Sequence, residues 1–221
     1  MFKKKEFQKL TNHYTEHAYT GLMGYFMKYC HKQLEVNQKE KRPKVLEIGA
    51  GLNPHKDYIT HPYDEYHIIE TSNDTKEFYK NKPEFSFHLY DGKKIPFQDE
   101  YFDRIIICNC LEHIIEPENF ILEMIKKLKK NGVLSISLPT DPGLLFRIGR
   151  QYLKIFSIGK KYNISREEFD YMNATEHVNS IFGLISIINF HFKKNKKEYY
   201  LPFKVKLPDL NLFYNVHIYK N

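Results

Sequence analysis

The 221-residue chain has no tryptophan, only three cysteines and only ten glycines. Three cysteines are too few for a disulfide framework. Cys108 and Cys110 are two apart on an expected strand, so they should share one face. No second Cys/His pair at zinc spacing accompanies them, so no metal site is expected and they read as packing or site-lining thiols in a reducing compartment. The opening Met1-Phe2-Lys3-Lys4-Lys5-Glu6 lacks the apolar run of a secretion signal. No stretch approaches the roughly 20 apolar residues of a spanning helix. A soluble, cytoplasmic protein is the expectation. There is no internal repeat and no low-complexity tract.

The chain is rich in other aromatics, with 17 Tyr and 17 Phe, and it carries a formal charge of +7. That charge permits an anionic partner without identifying one. Its lysines lie in scattered runs that read mainly as solvated faces. The length suits one elaborated domain with a substantial core.

The most informative stretch is Val45-Leu46-Glu47-Ile48-Gly49-Ala50-Gly51. A short buried strand breaks at two glycines, where the backbone can turn tightly and approach a ligand. That pattern opens a nucleotide-type site in a doubly wound sheet. The third glycine of the dinucleotide fingerprint would be residue 54, which is proline, and this counts against a nicotinamide enzyme. A second strand over 66–70 ends in Glu70. A carboxylate there can accept from both hydroxyls of a ribose, or simply from a helix N-terminus at Thr71-Ser72. An aromatic third strand over 85–90 is followed by Asp91-Gly92, which by itself marks only a turn. Ile105 to Asn109 has the continuous apolar character of a central parallel strand. Cys110-Leu111-Glu112-His113 closes it.

Glu-x-Gly-x-Gly after a first strand resembles motif I of the class I S-adenosylmethionine-dependent methyltransferases. Phe-x-Asp, an apolar strand and Leu-Glu-His resemble motif IV of their small-molecule, type 11-like branch, and Lys-Asn-Gly-Val-Leu at 130–134 fits the same pattern. The resemblance covers about residues 43–139 by motif and the tail by element order. It implies an α/β fold: a doubly wound, seven-stranded, mostly parallel Rossmann-like sheet with an antiparallel last strand. It implies S-adenosyl-L-methionine as methyl donor. Gly49 and Gly51 would meet the donor, Glu47 would bond near its methionine end, and Glu70 would take the ribose. Asp91 and Gly92 would flank the adenine, and Asn109 would line the methionyl side.

Residues 1–42 are expected to form an N-terminal helical cap and linker. The helical stretch over about 6–36 either packs on the domain edge or covers the cleft, with His13, Tyr14 or His17 near the acceptor. Residues 43–221 are expected to form the methyltransferase domain, in which Glu116-Pro117-Glu118 opens a helix that Asn131-Gly132 ends. An insertion at about 140–175 departs from the minimal fold. Leu144 to Ile158, apolar with Arg147, Arg150 and Lys154 interspersed, either roofs the acceptor pocket or lies on a membrane. Those basic residues would suit a phosphate on the acceptor. Thr175 or Asn173 should cap the next helix, with His177 at its start facing the cleft. His177 is the first candidate base and His113 the second; the alternatives are a residue holding the insertion in place and a structural histidine. Strands over 198–206 and 212–219 should close the sheet.

The expected acceptor is a small molecule, with O-methylation of a sugar or an anionic sugar nucleotide in surface-polysaccharide assembly as the narrower reading. No nucleic-acid module is present, so RNA is the less favoured acceptor. An RNA or protein methyltransferase and an inactive donor-binding scaffold stay open.

Overall fold

The computed structural model describes residues 19–92, 94–156 and 165–221. His13, Tyr14 and His17 lie outside the described residues, as does most of the N-terminal stretch before Gly21.

Among the described residues, seven strands form one sheet. They are β1 (Lys44–Ile48), β2 (Glu65–Glu70), β3 (Ser86–Leu89), β4 (Phe102–Cys108), β5 (Leu128–Pro139), β6 (Lys196–Leu201) and β7 (Phe213–Tyr219). Their order is β3-β2-β1-β4-β5-β7-β6. The first five pair in parallel, and β7 runs antiparallel between β5 and β6. The helices among the described residues are α1 (Gly21–Gln33), α2 (Asn73–Tyr79), α3 (Pro117–Lys127), α4 (Leu144–Phe156), α5 (Arg166–Glu176) and α6 (Ile181–Phe192).

The apolar run of β4 is continuous because both faces are covered. Ile105 and Ile107 pack with Leu46 and Ile48, under Ile121 and Met124 of α3 and Leu184 and Ile188 of α6. Ile106 and Cys108 pack with Val45 and Ile68, against Cys30 and Leu34 at the end of α1 and Tyr79 of α2. Arg104, fully buried, breaks that second face. Its guanidinium donates to Glu35 Oε1 and the Leu34 carbonyl, both at 2.9 Å, and tethers the end of α1 to the sheet.

Several expectations need correction. β4 stops at Cys108, because Asn109 takes a left-handed backbone (φ 49°). Cys110 therefore leads a 3-10 turn over Leu111–His113 and does not share a strand face with Cys108. Helix α3 ends at Lys127, not at Asn131-Gly132. β5 begins at once, and its register against β4 shifts between Phe102 and Arg104. Asn131 and Gly132 sit in that irregular stretch, bonded to the backbone of Lys220. Ser165 caps α5 through a capping box and Ser180 caps α6, in place of Asn173 or Thr175. β6 ends at Leu201, since Pro202 has no N–H to continue the ladder.

Candidate active site

The strand order reverses between β1 and β4, and both point their carboxyl ends at one crevice, the place where open α/β sheets bind ligands. Just beyond β1, Gly49 (φ 70°) and Gly51 (φ 55°) take backbone conformations that disfavour side chains. A Cβ on Gly49 would collide with the Cys110 side chain, whereas one on Gly51 would meet open space. The glycine turn is thus packed against Cys110, just beyond β4, on one side and clear on the other.

Two acids flank this turn. Glu70, at the end of β2, accepts from the Gly51 N–H. Burial raises its pKa against the opposing pull of the Gly51 and Thr71 amides. Glu47 is fully buried and accepts from the His55 N–H (2.8 and 3.0 Å) and the Tyr66 hydroxyl (2.6 Å). Burial pushes its pKa up to about 7.

A cavity of about 580 Å³ runs from this turn towards α4 and α5. Glu47, Gly49, Gly51, Asn109, His113 and His177 all line it. Glu70 adjoins it through Gly51. Asp91 and Gly92 stand exposed after β3 and are not among its lining residues. Asn109 presents a buried Oδ1 that no group among the described residues satisfies, while its Nδ2 lies against Cys108 and Cys30 Sγ. An unmet acceptor beside a clear glycine turn calls for a hydrogen-bond donor on a ligand, such as an amino group.

The far end of the cavity holds titratable side chains. His177 is the C-cap of α5, not the first residue of the following helix. Its Nδ1 lies 2.7 Å from Asp141 Oδ2, which also accepts from Arg150. Burial works to raise the Asp141 pKa, but His177 and Arg150 together hold it below the usual carboxylate range. His113 Nδ1 donates to the Glu176 carbonyl at 2.8 Å, and the two imidazoles meet edge to face, 5.1 Å apart. The Val178 and Asn179 N–H groups donate to the Glu112 carbonyl, both at 3.1 Å. Asn179 Nδ2 donates to the Ile114 carbonyl at 2.6 Å. These bonds fasten 176–179 to 112–114.

Sequence reasoning missed Glu112, Asp141 and the cavity wall at Tyr19, His31 and Phe146. Tyr19 OH and His55 Nδ1 approach the two ring nitrogens of His31 at 2.6 and 2.9 Å, and His55 Nε2 reaches Glu35 at 2.8 Å. Burial lowers the pKa of His31 to about 3 and of His55 to about 4, so both rings stay neutral. Glu112 stood beside His113 as a signal; the pairing of Asp141 with His177 spans 36 positions and left none.

Residues 46–136 match the family Methyltransf_11, described as a methyltransferase domain. Among solved structures, the plantazolicin methyltransferase BpumL, in complex with a monoazolic desmethylPZN analog and SAH, is 14% identical with a TM-score of 0.67. The match covers 99% of this chain and 91% of that one. An S-adenosylmethionine-dependent methyltransferase of Thermotoga maritima is 17% identical with a TM-score of 0.66, over 97% of this chain and 98% of that one. One from Aquifex aeolicus is 14% identical with a TM-score of 0.54, over the whole of both chains.

Proposed function

We propose that this chain, a class I S-adenosylmethionine-dependent methyltransferase of the type 11 branch, methylates a small molecule at the Asp141–His177 end of its cavity. The observation that carries the reading is the continuity of one cavity from the glycine turn and Asn109 to that histidine. When bound, S-adenosylmethionine supplies an electrophilic methyl on a sulfonium, with a neutral leaving group. The protein's own work is then to align two reactants and exclude water. Glu70 and the glycine turn are assigned to the donor's ribose side, Glu47 and Asn109 to its methionine end, and Asp91 with Gly92 to the adenine rim.

His177 is the proposed base for an acceptor hydroxyl or protonated amine. Its Nδ1–H donates to Asp141, which leaves Nε2 as the lone pair facing the acceptor. Helices α4 and α5 are proposed as the roof, since Phe146, Tyr152, Leu153 and Met172 line the cavity. α1 is proposed as its other wall, through Leu22, Met23 and Phe26. This apolar lining favours an acceptor with an apolar body. The anionic sugar nucleotide has weaker support. Of the three basic residues of α4, Arg150 alone lines the cavity, and it already pairs with Asp141. Lys154 pairs with Asp170.

No helix among the described residues is long and apolar enough to cross a membrane. Three unpaired cysteines suit a reducing, cytoplasmic compartment.

The test is a transfer assay with methyl-labelled donor across apolar-bodied alcohols and amines, sugar nucleotides and RNA. Label should reach small molecules, and His177→Ala should lower kcat by about 10²–10⁴-fold. Label in RNA with a steep loss as salt rises, or donor binding with no transfer to any acceptor, would contradict it.

A further inference from the structure

Glu112, His113 and His177 each place one ligand atom within 4.8 Å of those of the other two. Glu112 Oε1 lies 3.7 Å from His113 Nε2. Around a tetrahedral zinc with Zn–N and Zn–O near 2.0–2.1 Å, ligand atoms sit about 3.3 Å apart, so small side-chain rotations close the set.

The surroundings are those that metal ligands need. A ligating histidine gives its other ring N–H to a carboxylate or a backbone carbonyl, which fixes ring and tautomer. Here His177 Nδ1 is held by Asp141 and His113 Nδ1 by the Glu176 carbonyl. The Nε2 atoms are left to point elsewhere. Glu112 is 3% exposed, and its Oε2 is buried with no hydrogen-bond partner among the described residues. An unmet carboxylate oxygen in that position is costly unless a cation or a donor meets it. The backbone bonds from Val178 and Asn179 to Glu112 preset the approach of the two segments.

A second grouping, Cys30, His31 and Cys108, is also close enough for a metal. Both nitrogens of His31 are already engaged there, by Tyr19 and His55. It lacks the free ligand atoms that the first grouping offers.

We propose that Glu112, His113 and His177 bind a first-row divalent cation, with zinc the best match to two imidazoles and one carboxylate. Three protein ligands leave a coordination position open towards the cavity. A lone-pair atom of the acceptor fills it. The ion then lowers that atom's proton affinity, a task otherwise left to His177 as a free base. The acceptor role of the ion rests on the methyl-transfer reading above; its binding does not.

The test is calorimetric titration of the chain with zinc alone, with cobalt(II) absorption as a second readout. One equivalent should bind saturably. Glu112→Gln and His177→Ala should each weaken binding at least 100-fold, and Asp141→Asn by about 10–100-fold. Titration with S-adenosylhomocysteine checks the same variants: affinity within twofold of wild type certifies their fold and donor site. No saturable zinc binding by wild type overturns the proposal. So does zinc affinity unchanged in Glu112→Gln, or a thiolate-to-cobalt charge-transfer band, which would place the ion on Cys30 and Cys108. Zinc bound as expected without any donor binding would keep the metal site and sink the methyl-transfer reading instead.

Discussion

At the scale of single residues, the glycine turn and its acids set the behaviour. Gly49 is constrained twice, by its φ of 70° and by the Cys110 side chain, and Gly51 once, by its φ of 55°. Gly51→Ala should therefore cost about 1–2 kcal/mol. Gly49→Ala should cost more, because overpacking adds about 1–3 kcal/mol. Chemical unfolding of the two variants checks the order. Glu47 titrates near pH 7 when folded, because it is buried, and near its ordinary value when unfolded. Between those values the folded state holds a proton that the unfolded chain has lost. The contribution is thus fully present below about pH 4.5 and is lost as pH rises through about 7. Glu47→Gln should remove this part of the pH dependence, leaving a shallower fall in unfolding free energy from pH 5 to 8. An unchanged slope would contradict the assignment. Glu47 was legible from its place before the glycines; its partners Tyr66 and the His55 amide were not, since both lie on other elements.

At the scale of elements, α1 is tied to the sheet by a buried charge. Burial alone would raise the Glu35 pKa, yet the His55 hydrogen bond and the Arg104 guanidinium hold it well below the usual carboxylate range. Arg104→Ala would take the guanidinium from the Glu35 carboxylate, leaving it to His55 and Thr60, and would remove the side-chain donor to the Leu34 carbonyl. A loss of about 3–5 kcal/mol is expected in urea unfolding. The strands were readable because period and composition agree locally: the Ile105–Cys108 part of β4 is continuously apolar and is covered on both faces. The errors fall where a long-range contact decides the local conformation. Asn131-Gly132 carries a helix-stop signal, yet the backbone of Lys220 draws it into the β5 register shift. His177 likewise ends a helix because 176–179 is fastened to Glu112, Ile114 and Asp141. A single Asn179→Ala change, which removes the Ile114 bond, should lower stability by about 0.5–1.5 kcal/mol. It should also loosen any ligand bound at His177, read as a faster zinc or acceptor off-rate.

At the scale of the whole molecule, the sheet brings the glycine turn and one titratable cluster to the same cavity. The proposed donor half could be read in sequence because its residues follow their strands at fixed places: Gly49 and Gly51 after β1, Glu70 at the end of β2. The titratable cluster is assembled from three separate segments, around 112, 141 and 177, and periodicity within any one of them gives no sign of the others. The apolar side of α4 extends past the cavity wall, with Ile148, Ile155 and Phe156 exposed.

The most direct test of donor use is calorimetric titration with S-adenosylhomocysteine, with Glu70→Ala beside wild type. One saturable site is predicted, weakened about 10–100-fold by loss of the carboxylate that braces Gly51. A well-folded wild-type chain that takes up no S-adenosylhomocysteine would contradict the account.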